Sequence, residues 1–228
     1  MTYLKYTIIF FLFIVFNCSK NTPQGIDSQE DTVKNEIGTS LAKNSNLRIV
    51  EVGFPQINCI FDTDCHIYVG DFVDHFTLKG TSGDAFLQSR MWPQGEPGTV
   101  GEGLYAHIYR IDLRDLVSVT DTPCIQSFKI KFGPFVQIDY DYDGQLDDVF
   151  VGTSGGLGSV APSSAKQEGE NITFYFDPPV CPGTLSSGGE STYFFGIASI
   201  QSPQPVAAKL KNTEGKVTHI EARAPIID

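Results

Sequence analysis

Between residues 139 and 148 the chain reads Asp-Tyr-Asp-Tyr-Asp-Gly-Gln-Leu-Asp-Asp, five carboxylates within ten residues. Charges this crowded repel one another unless a cation or water screens them. Alternate spacing turns Asp139, Asp141 and Asp143 to one side as the loop curls. Gly144 then permits a tight turn, Gln145 offers its backbone carbonyl, and Asp147 reaches the centre directly or through water. Hard oxygen donors in that number suit Ca²⁺ better than zinc or copper. The competing reading is an acidic hairpin in which Asp-Gly simply makes the turn.

Other residues offer weaker chemistry. His66, His75, His107 and His219 lack ligand spacing, and His75 beside Asp74 is better read as a strand histidine than as an acid–base pair. Asp84, Glu96 and Glu102 are candidates for a glycosidase carboxylate pair, which needs a separation that one sequence does not fix. Trp92, Tyr105, Tyr109 and Tyr193 would make a sugar-stacking platform if they shared a surface, but aromatic core positions explain them more simply. Gly152-Thr153-Ser154-Gly155-Gly156 resembles the segment around a serine-protease nucleophile, but lacks its Asp and any histidine in a matching context. No phosphate loop or HExxH is present. The expectation is therefore a protein without a catalytic constellation.

Five cysteines occur, at 18, 59, 65, 124 and 181. If Cys18 is set aside, four remain, an even number that suggests two disulfides in an exported chain. Three connectivities are possible. Cys59–Cys65 across a short turn and Cys124–Cys181 between two Pro-containing turns are favoured, with free thiols as the alternative.

The elements that must position these groups read as strands. Gly and Pro number 22 and 13 of 228 residues, Phe 17 and Tyr 9, the profile of a turn-rich all-β chain. Nine runs stand out: 72–78, 85–92, 104–113, 125–132, 149–153, 171–176, 192–199, 206–212 and 217–224. In one of them Phe128, Ile130 and Phe132 alternate with Lys129 and Lys131. No segment after residue 17 keeps a helical period, with RIDLRDL the nearest. About ten strands at this spacing predict an antiparallel β-sandwich or jelly roll over residues 47–228.

The N-terminus reads as an export signal. Lys5 precedes an apolar run from Tyr6 to Phe16, long enough for a signal peptide and too short to span a bilayer. Val15-Phe16-Asn17-Cys18 resembles a relaxed bacterial lipobox, and that resemblance implies a signal peptide over 1–17 and a lipid-modified Cys18. Acyl chains on Cys18 would hold the protein on a membrane almost irreversibly. Ser19, where some inner-membrane lipoproteins carry Asp, favours the outer membrane or cell surface. Residues 18–46 are polar and lack aromatics, so they read as a flexible tether. The formal charge of −11 argues against nucleic acid as a partner.

The acidic segment resembles the DxDxDGxxD calcium loops of FG-GAP and VCBS repeats, thrombospondin type 3 repeats and dockerins. The resemblance implies Ca²⁺ ligation by Asp139, Asp141, Asp143, the Gln145 carbonyl and Asp147. Phe150 stands where an EF-hand needs a bidentate Glu. Segments 80–99, 103–116, 153–165, 172–183 and 191–199 are together similar to a family of exported bacterial β-sandwich proteins with varied anchors, including PEP-CTERM helices. That resemblance implies a sandwich outside the cell, and no activity. The expectation is a lipid-anchored envelope or surface protein serving in binding, adhesion or envelope structure, with a host protein, envelope protein or glycan as partner. The alternative is a carbohydrate-active protein, either a sugar-binding module or a hydrolase.

Overall fold

The computed structural model describes residues 44–54 and 56–226. Cys18, the apolar run before it and most of the tether lie outside those residues. Among the described residues there are fourteen strands and one helical turn: β1 (Ser45–Leu47), β2 (Ile49–Gly53), α1 (Gln56–Cys59), β3 (Gly70–Phe76), β4 (Thr81–Gly83), β5 (Ala85–Met91), β6 (Tyr105–Asp112), β7 (Leu116–Ser118), β8 (Ile125–Lys131), β9 (Val149–Ser154), β10 (Ser164–Glu168), β11 (Asn171–Val180), β12 (Phe194–Ser199), β13 (Gln204–Asn212) and β14 (Val217–Ala224). All nine runs read from the sequence form strands. The count exceeds the predicted ten because β1, β2, β4, β7 and β10 are short.

The strands form two six-stranded sheets and a two-stranded ribbon. The first sheet runs β1-β10-β11-β8-β13-β14, the second β2-β9-β12-β6-β5-β3, and β4 pairs β7. Pairing is antiparallel except between β2 and β9, which run parallel. Inward residues of both sheets meet in one core. Phe128, Ile130, Phe174 and Leu210 face Leu87, Tyr109, Phe195 and Ile197. Aromatic contacts join the layers, with Phe174 and Phe195 ring centroids 4.7 Å apart and Tyr109 and Phe128 5.3 Å apart. This is the β-sandwich that the alternation predicted.

A second, smaller apolar cluster involves Ile108 and Phe194 of the second sheet. There α1 and the following turns bring Ile57, Ile60 and Phe61 against Trp92, Ile108, Tyr140 and Phe150. Trp92 and Tyr109 are buried in the two cores, Tyr193 packs against the first and Tyr105 is half-buried, so the four do not form one exposed platform. Two disulfides hold the loops, Cys59–Cys65 just after α1 and Cys124–Cys181 where β8 begins and β11 ends. No described helix is long and apolar enough to cross a membrane.

Candidate functional site

The acidic loop is closed by the Ile138–Asp147 pair, each amide donating to the other residue's carbonyl at 2.8 and 3.1 Å. Above that neck the chain must reverse over few residues. It does so through Tyr142 (φ 61°) and Gly144 (φ 85°), both left-handed, the second as the sequence required. The reversal aims backbone N–H groups inward. Asp139 accepts from Asp143 N at 3.0 Å and Gly144 N at 2.9 Å, and Asp141 accepts from Asp143 N at 3.1 Å.

Carboxylate oxygens of Asp139, Asp141 and Asp147 converge within 4.8 Å of one another, an arrangement that can hold a metal ion. Asp147 is the buried member, at 0% exposure. Neither of its oxygens has an aligned hydrogen-bond donor. Arg48 Nε lies 2.8 Å from Oδ1 and supplies charge without that alignment. Burial pushes the Asp147 carboxyl above the usual carboxylate range. Arg48 and, more weakly, the Tyr140 backbone amide oppose that shift, while Asp141 and Asp143 reinforce it. A buried acid with two under-coordinated oxygens facing two more carboxylates is a group that a cation would satisfy.

The remaining predicted positions sit beside the triad. Asp143 turns to Arg48, with Nη2 at 3.3 Å from Oδ2, and its Oδ1 accepts from Gln145 N at 2.7 Å. Gln145 receives Arg48 Nη1 on its side-chain oxygen at 2.8 Å. Asp148, adjacent to Asp147, is fully engaged instead. It accepts from Gln137 Nε2 at 2.8 Å and from the Arg48 amide at 2.7 Å.

Arg48 is the residue that sequence reasoning missed. It is the single residue between β1 and β2, where the chain crosses from the first sheet to the second. Its carbonyl accepts from Asp148 N and Val149 N at 3.1 and 3.0 Å, which fixes its backbone while the guanidinium reaches into the loop. Nothing local flags it, since its partners are about a hundred positions away. Asp139, Asp141, Asp143 and Asp147 against Arg48 leave three net negative charges (four less one), which suits a divalent cation.

The other candidates do not converge. His75 pairs with Asp84 rather than Asp74, its Nδ1 2.9 Å away and both groups exposed. Glu96 accepts from the Thr63 amide and hydroxyl, and Glu102 from the Gly98 amide, so both tie loops together. Ser154 ends β9, and its carbonyl accepts from Phe54 N at 2.8 Å. The Phe54 ring fills the space a side chain at Gly152 would need. A buried polar cluster also went unforeseen. Arg110, 5% exposed, pairs with Asp112 at 3.1 Å, donates to Gln88 at 3.0 Å, and lies over Phe194 and Phe86. Asp112 further accepts from Arg114, and the Arg110–Gln88 bond ties β6 to β5, while Arg110 Nη1 stays buried without a hydrogen-bond partner.

Compared with known proteins, the chain matches no family model, no curated protein and no solved structure.

Proposed function

We propose that this chain is an exported, lipid-anchored envelope protein whose β-sandwich is a non-catalytic binding or structural module stabilised by one Ca²⁺. The anchor is the lipid on Cys18, placing the protein on the bacterial outer membrane or cell surface. The paired cysteines agree with an oxidising compartment. The resemblance to variably anchored exported sandwiches supports the same address.

The observation that carries the calcium reading is Asp147, buried beside Asp139 and Asp141 without an aligned hydrogen bond on either oxygen. Asp139, Asp141 and Asp147 would supply the carboxylate ligands, with the Gln145 carbonyl and water completing the shell. Asp143 would sit at the edge, shared with Arg48. The ion's part is to neutralise the loop and tie its carboxylates together beside Arg48, not to activate a substrate.

Thermal unfolding of the full chain in EGTA and then in millimolar Ca²⁺ tests this. Binding to the native state alone stabilises by RT ln(1 + [L]/Kd), about 2.7 kcal/mol at a hundredfold excess over Kd. The wild type should melt several degrees higher with Ca²⁺, and Asp139→Asn/Asp141→Asn should not shift. Equal melting of both proteins under both conditions would reduce the loop to a turn.

A further inference from the structure

The outer face of the first sheet carries a concentration of charge opposite to that of the loop. The described residues contain seven lysines (79, 129, 131, 166, 209, 211 and 216), and five of them, Lys129, Lys131, Lys166, Lys209 and Lys211, stand on this one face. Register aligns them. Lys166 lies opposite Thr173, Thr173 opposite Lys129, Lys129 opposite Lys209, and Lys209 opposite His219, a straight row across five strands. The next row runs Tyr175, Ser127, Lys211, Val217. A groove of about 480 Å³ lies over both rows.

The charges on this face are not consumed by partners. Lys129 and Lys131 reach Glu168 and Glu170 at 3.6 and 3.3 Å, exposed pairs that contribute little. Lys209 and Lys211 make no ion pair among the described residues, although Asp177 also borders the groove. Lys129 directly opposes Lys209, and like charges in that position destabilise a sheet. An anion lying across the face would relieve that opposition.

We propose that this face binds an extended anionic polysaccharide, its carboxylates or sulfates meeting Lys129, Lys209 and Lys211 and a sugar ring lying on Tyr175. Thr173, Ser127 and Gln126 place hydroxyl and amide groups between the charges, where sugar hydroxyls need partners. The half-buried Tyr175 ring has Lys166 Nζ 5.9 Å from its centroid, so a stacked ring would also lie near a cation. An acidic peptide gains less here, because these central strands pair on both sides and leave no open edge for strand addition. Tyr175 and Val217 are too little apolar surface to enter a bilayer. The inference rests on the reading of the chain as a binding module, and not on calcium.

The test is retention of the full chain on an immobilised oligogalacturonate and on heparin, in EGTA and again with Ca²⁺. Retention by one or both is expected in both buffers, with loss at 1 M salt, where the screening length falls to about 3 Å. Lys209→Gln/Lys211→Gln should weaken binding at least tenfold, and the exposed Lys79→Gln should leave it unchanged. Tyr175→Ala should weaken binding to the sugars and not to polyglutamate. Lys209→Glu should abolish binding while the melting temperature stays level or rises, a sign that binding and folding pull in opposite directions at this position. No retention, retention indifferent to the lysines, or tighter binding to polyglutamate or phosphatidylglycerol vesicles would overturn the proposal. A missing calcium shift with intact sugar binding would sink the loop reading alone, and the reverse result would sink this one alone.

Discussion

Asp147 and His107 are both buried, and both sit where their charged forms are disfavoured. His107 donates from Nε2 to the Gln201 carbonyl at 3.0 Å, leaves Nδ1 without a partner, and meets the Phe132 ring edge-on. Burial pulls its pKa from 6.5 down to about 4, against a smaller opposing effect of the Gln201 bond. Because the folded pKa is depressed, the unfolded chain binds the extra proton first as pH falls. The stability from keeping His107 neutral is complete above pH 6.5 and lost as pH drops toward 4. The slope should steepen from about half of 1.4 kcal/mol per pH unit at pH 6.5 toward that full value near pH 5, measurable by urea unfolding before most carboxylates titrate. His107→Gln keeps a donor for Gln201 and should flatten that slope. An unchanged slope would mean that another group is responsible.

At the scale of elements, legibility followed length and range. The nine strands visible in the sequence include every strand of six residues or more, where inward aromatics and aliphatics repeat often enough to show a period of two. The five missed strands have three to five residues, too few for a pattern, and all but β10, which pairs with the adjacent β11, take their place from partners far along the chain. For β2 the partner is the parallel β9, about a hundred residues on. The acidic loop was legible because its carboxylates and its turn glycine fall within ten residues of one another. Arg48 was not, because only the crossing between sheets brings it there. Lys129 and Lys131 showed one strand's outward face, but the row through Lys129 exists only once β8, β11 and β13 are in register.

The disulfides also belong to this scale. Cys124–Cys181 spans 57 positions and closes β11 onto β8, where pairing resumes at Val180 and Ile125 after a register shift. Cys59–Cys65 spans 6. In the chain-entropy model the long loop contributes about 4 kcal/mol and the short one about 2. Cys124→Ala/Cys181→Ala should therefore lower the urea midpoint more than Cys59→Ala/Cys65→Ala, and the opposite order would contradict that account.

Across the whole molecule, the N-terminal strands lace the two sheets together. β1 is an edge of the first sheet, β2 an edge of the second, and Arg48 between them is gripped by Asp148 through its backbone and by Asp147 and Asp143 through its guanidinium. Asp148→Ala removes the acceptor for the Arg48 and Gln137 donors and should lower stability by about 1–3 kcal/mol. Hydrogen exchange should rise first at the amides of β1 and β2, with β8 and β13 still protected. Uniform loss of protection would show that the lacing is not a separate unit.

Tension applied from the N-terminal side would enter at Ser45 and meet these contacts in series. The three pairs that hold β1 to β10 are the weakest part of that path. The Arg48 grip and the parallel β2–β9 pairing stand behind them. Release of β1 would lengthen the chain by roughly 10 Å, at about 3.3–3.6 Å per extended residue, with both cores intact. Under a pulling load the crossing at Arg48 thus acts as a mechanical stop, letting a short slack run out before force reaches the sandwich.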